Sequence, residues 1–207
     1  MKKLVIIGAG GLGREVAQYV KDINLKHPTY ELLGFIDDDP LQKGKVYNGD
    51  RVLGNITLLK EMQGIYAFCA IANPSIKKKI HQQLKEYNCK FINIIHPTAY
   101  ISSNVKLGKN VLVAPNCVLT TNITIEDFVL INPQCGIGHD TNIGEYTTLY
   151  WNVNTGGFVK VGKSVQLGTQ TFIKQGLEIG NDVISGAGAV IVKDIEEGRT
   201  VKGVPAL

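Results

Sequence analysis

The chain has 207 residues, 44% of them hydrophobic and 19% charged, with a formal net charge of +4. That length and composition fit one or two ordinary globular domains. The charge is too small for a nucleic-acid footprint, no apolar run approaches a membrane span, and the four cysteines form no CxxC pair that would suggest a metal site.

Residues 2–7 read as a buried parallel strand, and Gly8-Ala9-Gly10-Gly11-Leu12-Gly13 leads from it into an amphipathic helix over residues 14–23. The same glycines interrupt the N-terminal apolar stretch after four residues, which argues against a signal peptide and for a cytoplasmic chain. Their spacing fits GxGxxG, where glycine lets backbone N–H groups approach phosphate at a helix N-terminus. A second strand over 31–36 ends in Asp37-Asp38-Asp39, whose carboxylates suit a ribose or base. A third strand over 66–71, the turn Ala72-Asn73-Pro74, a helix over 75–87 and a fourth strand over 90–94 complete a Rossmann-like βαβ unit over residues 1–94. It has room for half of a dinucleotide fold, so a mononucleotide portion fits better than NAD. The alternative, which the pattern favours less, is that the glycines only pack helix against strand.

From residue 95 the period changes. Starting at Ile95, every sixth position up to Ile191 is Ile, Leu or Val in fifteen of seventeen cases, the exceptions being Thr155 and Ser185. A period of six is neither helical nor that of a simple strand. It fits a coil with three flat faces, in which each hexapeptide is one short strand and a corner, and 18 residues close a rung. The corner needs the left-handed backbone region, which Gly, Asn and Asp enter at low cost. Asn104, Asn110, Asn116, Asn122, Asp140, Asn152 and Asp182 stand at that offset. Cys117 and Cys135, 18 apart, are expected one above the other in the core as reduced fillers.

An ionisable residue that breaks a repetitive corner is informative. His139 is the only histidine within the regular coil and is followed by Asp140, while the equivalent corner one rung on is Gly156-Gly157, with no side chain to block a ligand. The residues alone leave two readings open: a solvated histidine beside a corner aspartate, or an acid–base couple.

Several segments resemble, in their order, a bacterial sugar acyltransferase family of the hexapeptide-repeat superfamily. They are Gly8-Ala9-Gly10-Gly11 with Arg14-Glu15, Phe35-Ile36-Asp37-Asp38-Asp39, His96-Pro97-Thr98-Ala99, Gly138-His139-Asp140, and Gly186-Ala187-Gly188-Ala189-Val190 with Val201 to Ala206. The family includes nucleotide-amino-sugar N-acetyltransferases and is similar to sialic acid O-acetyltransferases. The resemblance implies that residues 95–207 form a left-handed parallel β-helix and that the chain assembles as a homotrimer. It further implies an acetyl-CoA-dependent N-acetyltransferase of a nucleotide-linked 4-amino-6-deoxy sugar, working without a metal. By the same resemblance His139 is the general base and Asp140 its partner, and Gly157 supplies a backbone N–H to the thioester oxygen. Thr148, Thr169 and Ala187 fall where the family contacts acetyl-CoA, although close relatives carry a second histidine at the first and a glycine at the last. The nucleotide sugar maps onto Gly10, Gly11, Leu12, Asp37, Asp38, Ala72 and Asn73. Sugar O-acetylation is the alternative, and a nucleotide-binding unit on a non-catalytic coil the more remote one.

Overall fold

The computed structural model describes residues 1–87 and 89–207. They divide into two compact units, Met1–Pro97 and Thr98–Leu207, whereas the sequence pattern changes between residues 94 and 95.

The first unit is built on β1 (Lys2–Ile7), whose residues Leu4 to Ile7 are buried. It continues through α1 (Gly11–Lys26), β2 (Tyr30–Ile36), β3 (Val46–Tyr47), β4 (Asp50–Gly54), β5 (Tyr66–Cys69), α2 (Pro74–Leu84) and β6 (Lys90–Phe91). The sheet order is β3-β4-β2-β1-β5-β6, parallel throughout except for the β3–β4 hairpin. Strand order therefore reverses at β1, the position where open α/β sheets bind ligands beyond the strand ends.

The β3–β4 hairpin is an addition to the four strands expected in this unit, lying between those over 31–36 and 66–71. Its signal was present, since Asn48-Gly49 is the pair a type I′ turn prefers, and both residues adopt positive φ, 52° and 90°. The hairpin is fixed to α1 by Lys21, which bonds Asp50 Oδ2 at 2.8 Å, and by Arg14, whose guanidinium lies 5.1 Å from the Tyr47 ring centroid. Helix α1 also begins three residues earlier than residue 14, at Gly11, because the glycine run supplies its first turn.

The second unit is a stack of short parallel strands. Each six-residue step moves to the next of three sheets, and each strand pairs with the one 18 residues on, as in Leu112↔Leu130, Leu130↔Thr148 and Thr148↔Gln166. The inward ladder is buried at every position from Val113 to Ile191, while Ile95, Ile101 and Leu107 at its beginning are half-buried or exposed. Fully burying an aliphatic side chain contributes about 1.5–3 kcal/mol, so the periodic ladder is a large source of this unit's stability. The two polar exceptions are satisfied: Thr155 Oγ1 accepts from Gly138 N at 3.1 Å, and Ser185 Oγ accepts from Gly168 N at 3.0 Å.

The corners extend the sequence expectation. Positive φ recurs every six residues from Asn110 to Gly188, but Phe128, Gln134, Tyr146, Phe158, Ser164 and Gln170 adopt it as well as Asn and Asp. Asn104 does not, and there Val105 N–H turns back to Ser102 O at 3.2 Å. Cys117 and Cys135 are buried and unbridged, as the 18-residue spacing implies.

The outward residues give two of the three faces contrasting surfaces. One presents Tyr100, Val118, Gly136, Asn154, Phe172 and Val190, with Tyr100, Val118 and Phe172 exposed. A second presents Lys106, Thr124, Asn142, Lys160 and Glu178, a polar surface in which Lys160 pairs with Glu178.

Candidate active site

The corner that follows the apolar face carries His139. Gly138 precedes it, and a Cβ there would lie 2.4 Å from the Gly156 backbone, so the chain turns in direct contact with the rung above. Thr155 holds the Gly138 N–H, Asp140 N–H bonds to Thr121 O at 3.0 Å, and Phe158 N–H bonds to His139 O at 2.8 Å. The histidine backbone is thus held from both adjoining rungs.

The imidazole points outward and is half exposed. Its Nδ1 lies 2.8 Å from Asp140 Oδ2, close enough for a charge-assisted hydrogen bond, and with the carboxylate ionised Nδ1 carries the proton and Nε2 is the acceptor. His139 first, and Asn122 through its side-chain amide, hold the Asp140 carboxyl below its ordinary range. The carboxylate therefore stays ionised below the pH at which an ordinary aspartate protonates, and its partnership with the imidazole is lost only as pH falls through the lowered value.

Gly157 lies against the imidazole, where a Cβ would come within 2.5 Å of His139 Cε1 and 2.6 Å of Nε2. Its N–H donates to no protein acceptor among the described residues. The Phe158 ring meets the imidazole edge-on, with centroids 5.0 Å apart at 88°. This corner therefore offers an oriented base, an adjacent backbone donor and an apolar wall.

The expected acetyl-CoA contacts are not all at this corner. Gly157 is in the column of His139, 18 residues on. Thr169 and Ala187 are exposed in a column of their own at the opposite edge of the apolar face, because 30 residues separate His139 from Thr169, one rung of 18 plus two steps of six. Thr148 is fully buried in the single chain.

In the first unit, Gly10 and Gly11 face open space at the start of α1, where no acidic residue and no side-chain cap compete for the helix N–H groups. A Cβ at Gly13, by contrast, would lie 1.9 Å from Gly8 O, so that glycine packs helix on strand. The packing role of the glycine run is thus seen at Gly13, while Gly10 and Gly11 leave the start of the helix uncovered. Asp37 accepts Ala9 N–H at 2.8 Å and Asp39 N–H at 3.0 Å, which fastens the end of β2 to the loop that contains Gly10, Gly11 and Leu12. Asp38 accepts Ile56 N–H at 2.8 Å, and with Asp37, Asp39, Lys43, Asn55 and Glu61 it lines a cleft. Asn73 caps α2 through Oδ1 to Ile76 N at 3.1 Å, next to Ala72.

A nucleotide-type sheet followed by hexapeptide coils with a corner imidazole–carboxylate couple is the architecture of a sugar acyltransferase. The family model of the PglD N-terminal domain matches residues 3–84. A GDP-perosamine N-acetyltransferase of Escherichia coli O157:H7 is 31% identical over 209 residues, covering 97% of this chain and 93% of that protein. The protein L142 of Acanthamoeba polyphaga mimivirus is 32% identical over 104 residues, half of this chain but only 19% of its own length. Among solved structures, PerB from Caulobacter crescentus, crystallised with CoA and GDP-perosamine, superposes with a TM-score of 0.92 at 29% identity, covering 99% of this chain and 96% of PerB. The chain belongs to the hexapeptide-repeat family of nucleotide-sugar N-acetyltransferases, and its second unit is the left-handed parallel β-helix of that family. Among the described residues no helix is long and apolar enough to cross a membrane, and no cluster of His, Cys, Asp or Glu could hold a metal.

Proposed function

We propose that the protein transfers the acetyl group of acetyl-CoA to the amine of a nucleotide-linked 4-amino-6-deoxy sugar, with His139 as general base. The observation that carries this reading is the His139–Asp140 bond of 2.8 Å, which turns Nε2 outward beside Gly157. Nε2 takes the amine proton as the nitrogen attacks the thioester carbonyl, and the Gly157 N–H receives the developing oxyanion. The C–S bond then breaks, and the imidazolium returns the proton to the leaving CoA sulfur. Helix α1 offers its N-terminus at Gly10, Gly11 and Leu12 to the diphosphate, Asp37 and Asp38 take the nucleoside, and Ala72 and Asn73, after β5, are proposed as further substrate contacts.

The likeness to an enzyme crystallised with CoA and GDP-perosamine supports this substrate class. Thiol release from acetyl-CoA, followed with GDP- and UDP-linked 4-amino sugars and their 4-hydroxy counterparts, tests it. Turnover is expected with an amine; turnover confined to hydroxyl acceptors would transfer the proposal to O-acetylation.

The working form is proposed to be a homotrimer. His139 and Gly157 stand at one edge of the exposed apolar face, Thr169 and Ala187 at the other, so one chain does not unite base and acyl-donor contacts. Burial of that face between copies joins one chain's base to its neighbour's CoA edge and removes apolar surface from water. Light scattering should give three times the chain mass, and a single-chain mass would count against shared sites.

A further inference from the structure

The corner below Asp140 holds a residue that the acyl-transfer scheme does not use. Asn122 stands 18 residues before Asp140 and therefore directly beneath it in the stack. Its backbone is left-handed, with φ 54°. The side chain is not idle: Nδ2 donates to Asp140 Oδ1 at 3.2 Å, while Oδ2 of the same carboxylate is the oxygen bound by His139 Nδ1 at 2.8 Å. The two carboxylate oxygens are thus divided between two partners on different rungs.

That division matters because Asp140 is a short side chain on the residue next to His139, and it is one-third exposed. With only the imidazole as partner, the carboxylate could rotate about its last torsion and exchange the ring for water. An amide anchored in the rung below removes that freedom. Around the carboxylate stand Asn122 beneath, Phe158 above and His139 beside, and among the described residues His139 is the only one of its interacting partners that can carry charge.

We infer that Asn122 is a positioning residue that fixes the Asp140 carboxylate and, through it, the orientation and basicity of the His139 imidazole. This rests on the general-base reading only for its catalytic consequence; the positioning itself is a property of the resting protein. Other corners show that the amide is not required by the backbone alone, since Phe, Tyr, Ser and Asp all adopt positive φ at equivalent sites.

Asn122→Asp separates the two roles. Aspartate keeps the size and tolerates the left-handed backbone, as Asp140 and Asp182 do at φ 57° and 55°, but it puts a second carboxylate where the donor was. The imidazole then faces two negative groups, or one proton shared between two carboxyls, and its titration by NMR, assigned with a His139→Gln variant, should move up by about one pH unit. The acid limb of kcat/KM should follow it upward, because that limb reports the free enzyme's base. Asn122→Gly should lower kcat about three- to tenfold, the worth of one hydrogen bond, with KM for both substrates held. Asn116→Asp, at a distant corner with φ 59°, is the control and should leave the imidazole titration unchanged.

An unchanged titration in Asn122→Asp overturns the inference, and so does an equal shift in Asn116→Asp. A shifted imidazole with an unshifted kinetic limb keeps Asn122 as the anchor and instead removes His139 from the general-base role.

Discussion

His139→Ala is expected to lower kcat by about 10²–10⁴, the range that a positioned general base supplies, with CoA and the nucleotide sugar still binding. The other three histidines lie in the first unit and have local work. His27 closes the C-terminus of α1 through its backbone N–H to Ile23 O, His81 meets the Phe91 ring edge-on, and His96 Nε2 lies 3.2 Å from Asp22 Oδ2. Because His139 is half exposed and its side chain supports no core, the variant should fold and melt like the parent. Thiol-release kinetics and calorimetric titration with each substrate separate the chemical step from binding. A variant with near-parental kcat rejects the general-base role, whereas equal losses in kcat and affinity would make the imidazole a binding group.

The pH profile carries the same logic. With its pKa held below the ordinary carboxylate range, Asp140 stays ionised through mild acidification, so a loss of activity in that region is not expected to come from protonation of this carboxylate.

The sequence made the β-helix legible because burial imposes one slot per strand. From Val113 onward the sixfold ladder predicts the buried residue each time, including Thr155 and Ser185, whose hydroxyls bond to backbone N–H groups beside them. The corners were less legible. Asn and Asp advertise the left-handed region, but Phe128 and Tyr146 occupy it too, because the stacked rungs dictate the backbone and the rings then stack on one another at 5.5 Å and 28°. Propensity there is overridden by repetition. At the site, His139 and Asp140 could be chosen as the break in a regular surface. Asn122 could not be chosen by residue type, since it looks like any corner asparagine; counting 18 back from Asp140 is the signal that finds it. Thr148 shows the opposite limit: its alignment with the family's CoA contacts gives no hint of its complete burial in the chain.

Gly157→Ala is expected to lower kcat by about 10²-fold, the scale on which roughly an ångström of misplacement acts, without weakening the fold. The new methyl would stand 2.5 Å from His139 Cε1 and 2.6 Å from Nε2, far inside contact distance, so the ring must move. It has little room to do so in place. The Phe158 ring closes on its edge at 5.0 Å, and the 2.8 Å bond to Asp140 breaks if the imidazole swings away. The backbone does not oppose the change, because Gly157 is not among the glycines at positive φ, and replacing glycine by alanine there narrows the unfolded ensemble by about 0.4–1 kcal/mol. The N–H proposed to meet the oxyanion is retained in alanine. A kinetic loss with an undiminished melting temperature and a displaced His139 NMR signal therefore isolates the position of the ring as the cause. Parental kcat with an unmoved signal would mean that the glycine is not needed to seat the imidazole, and that the corner geometry is looser than a working base requires.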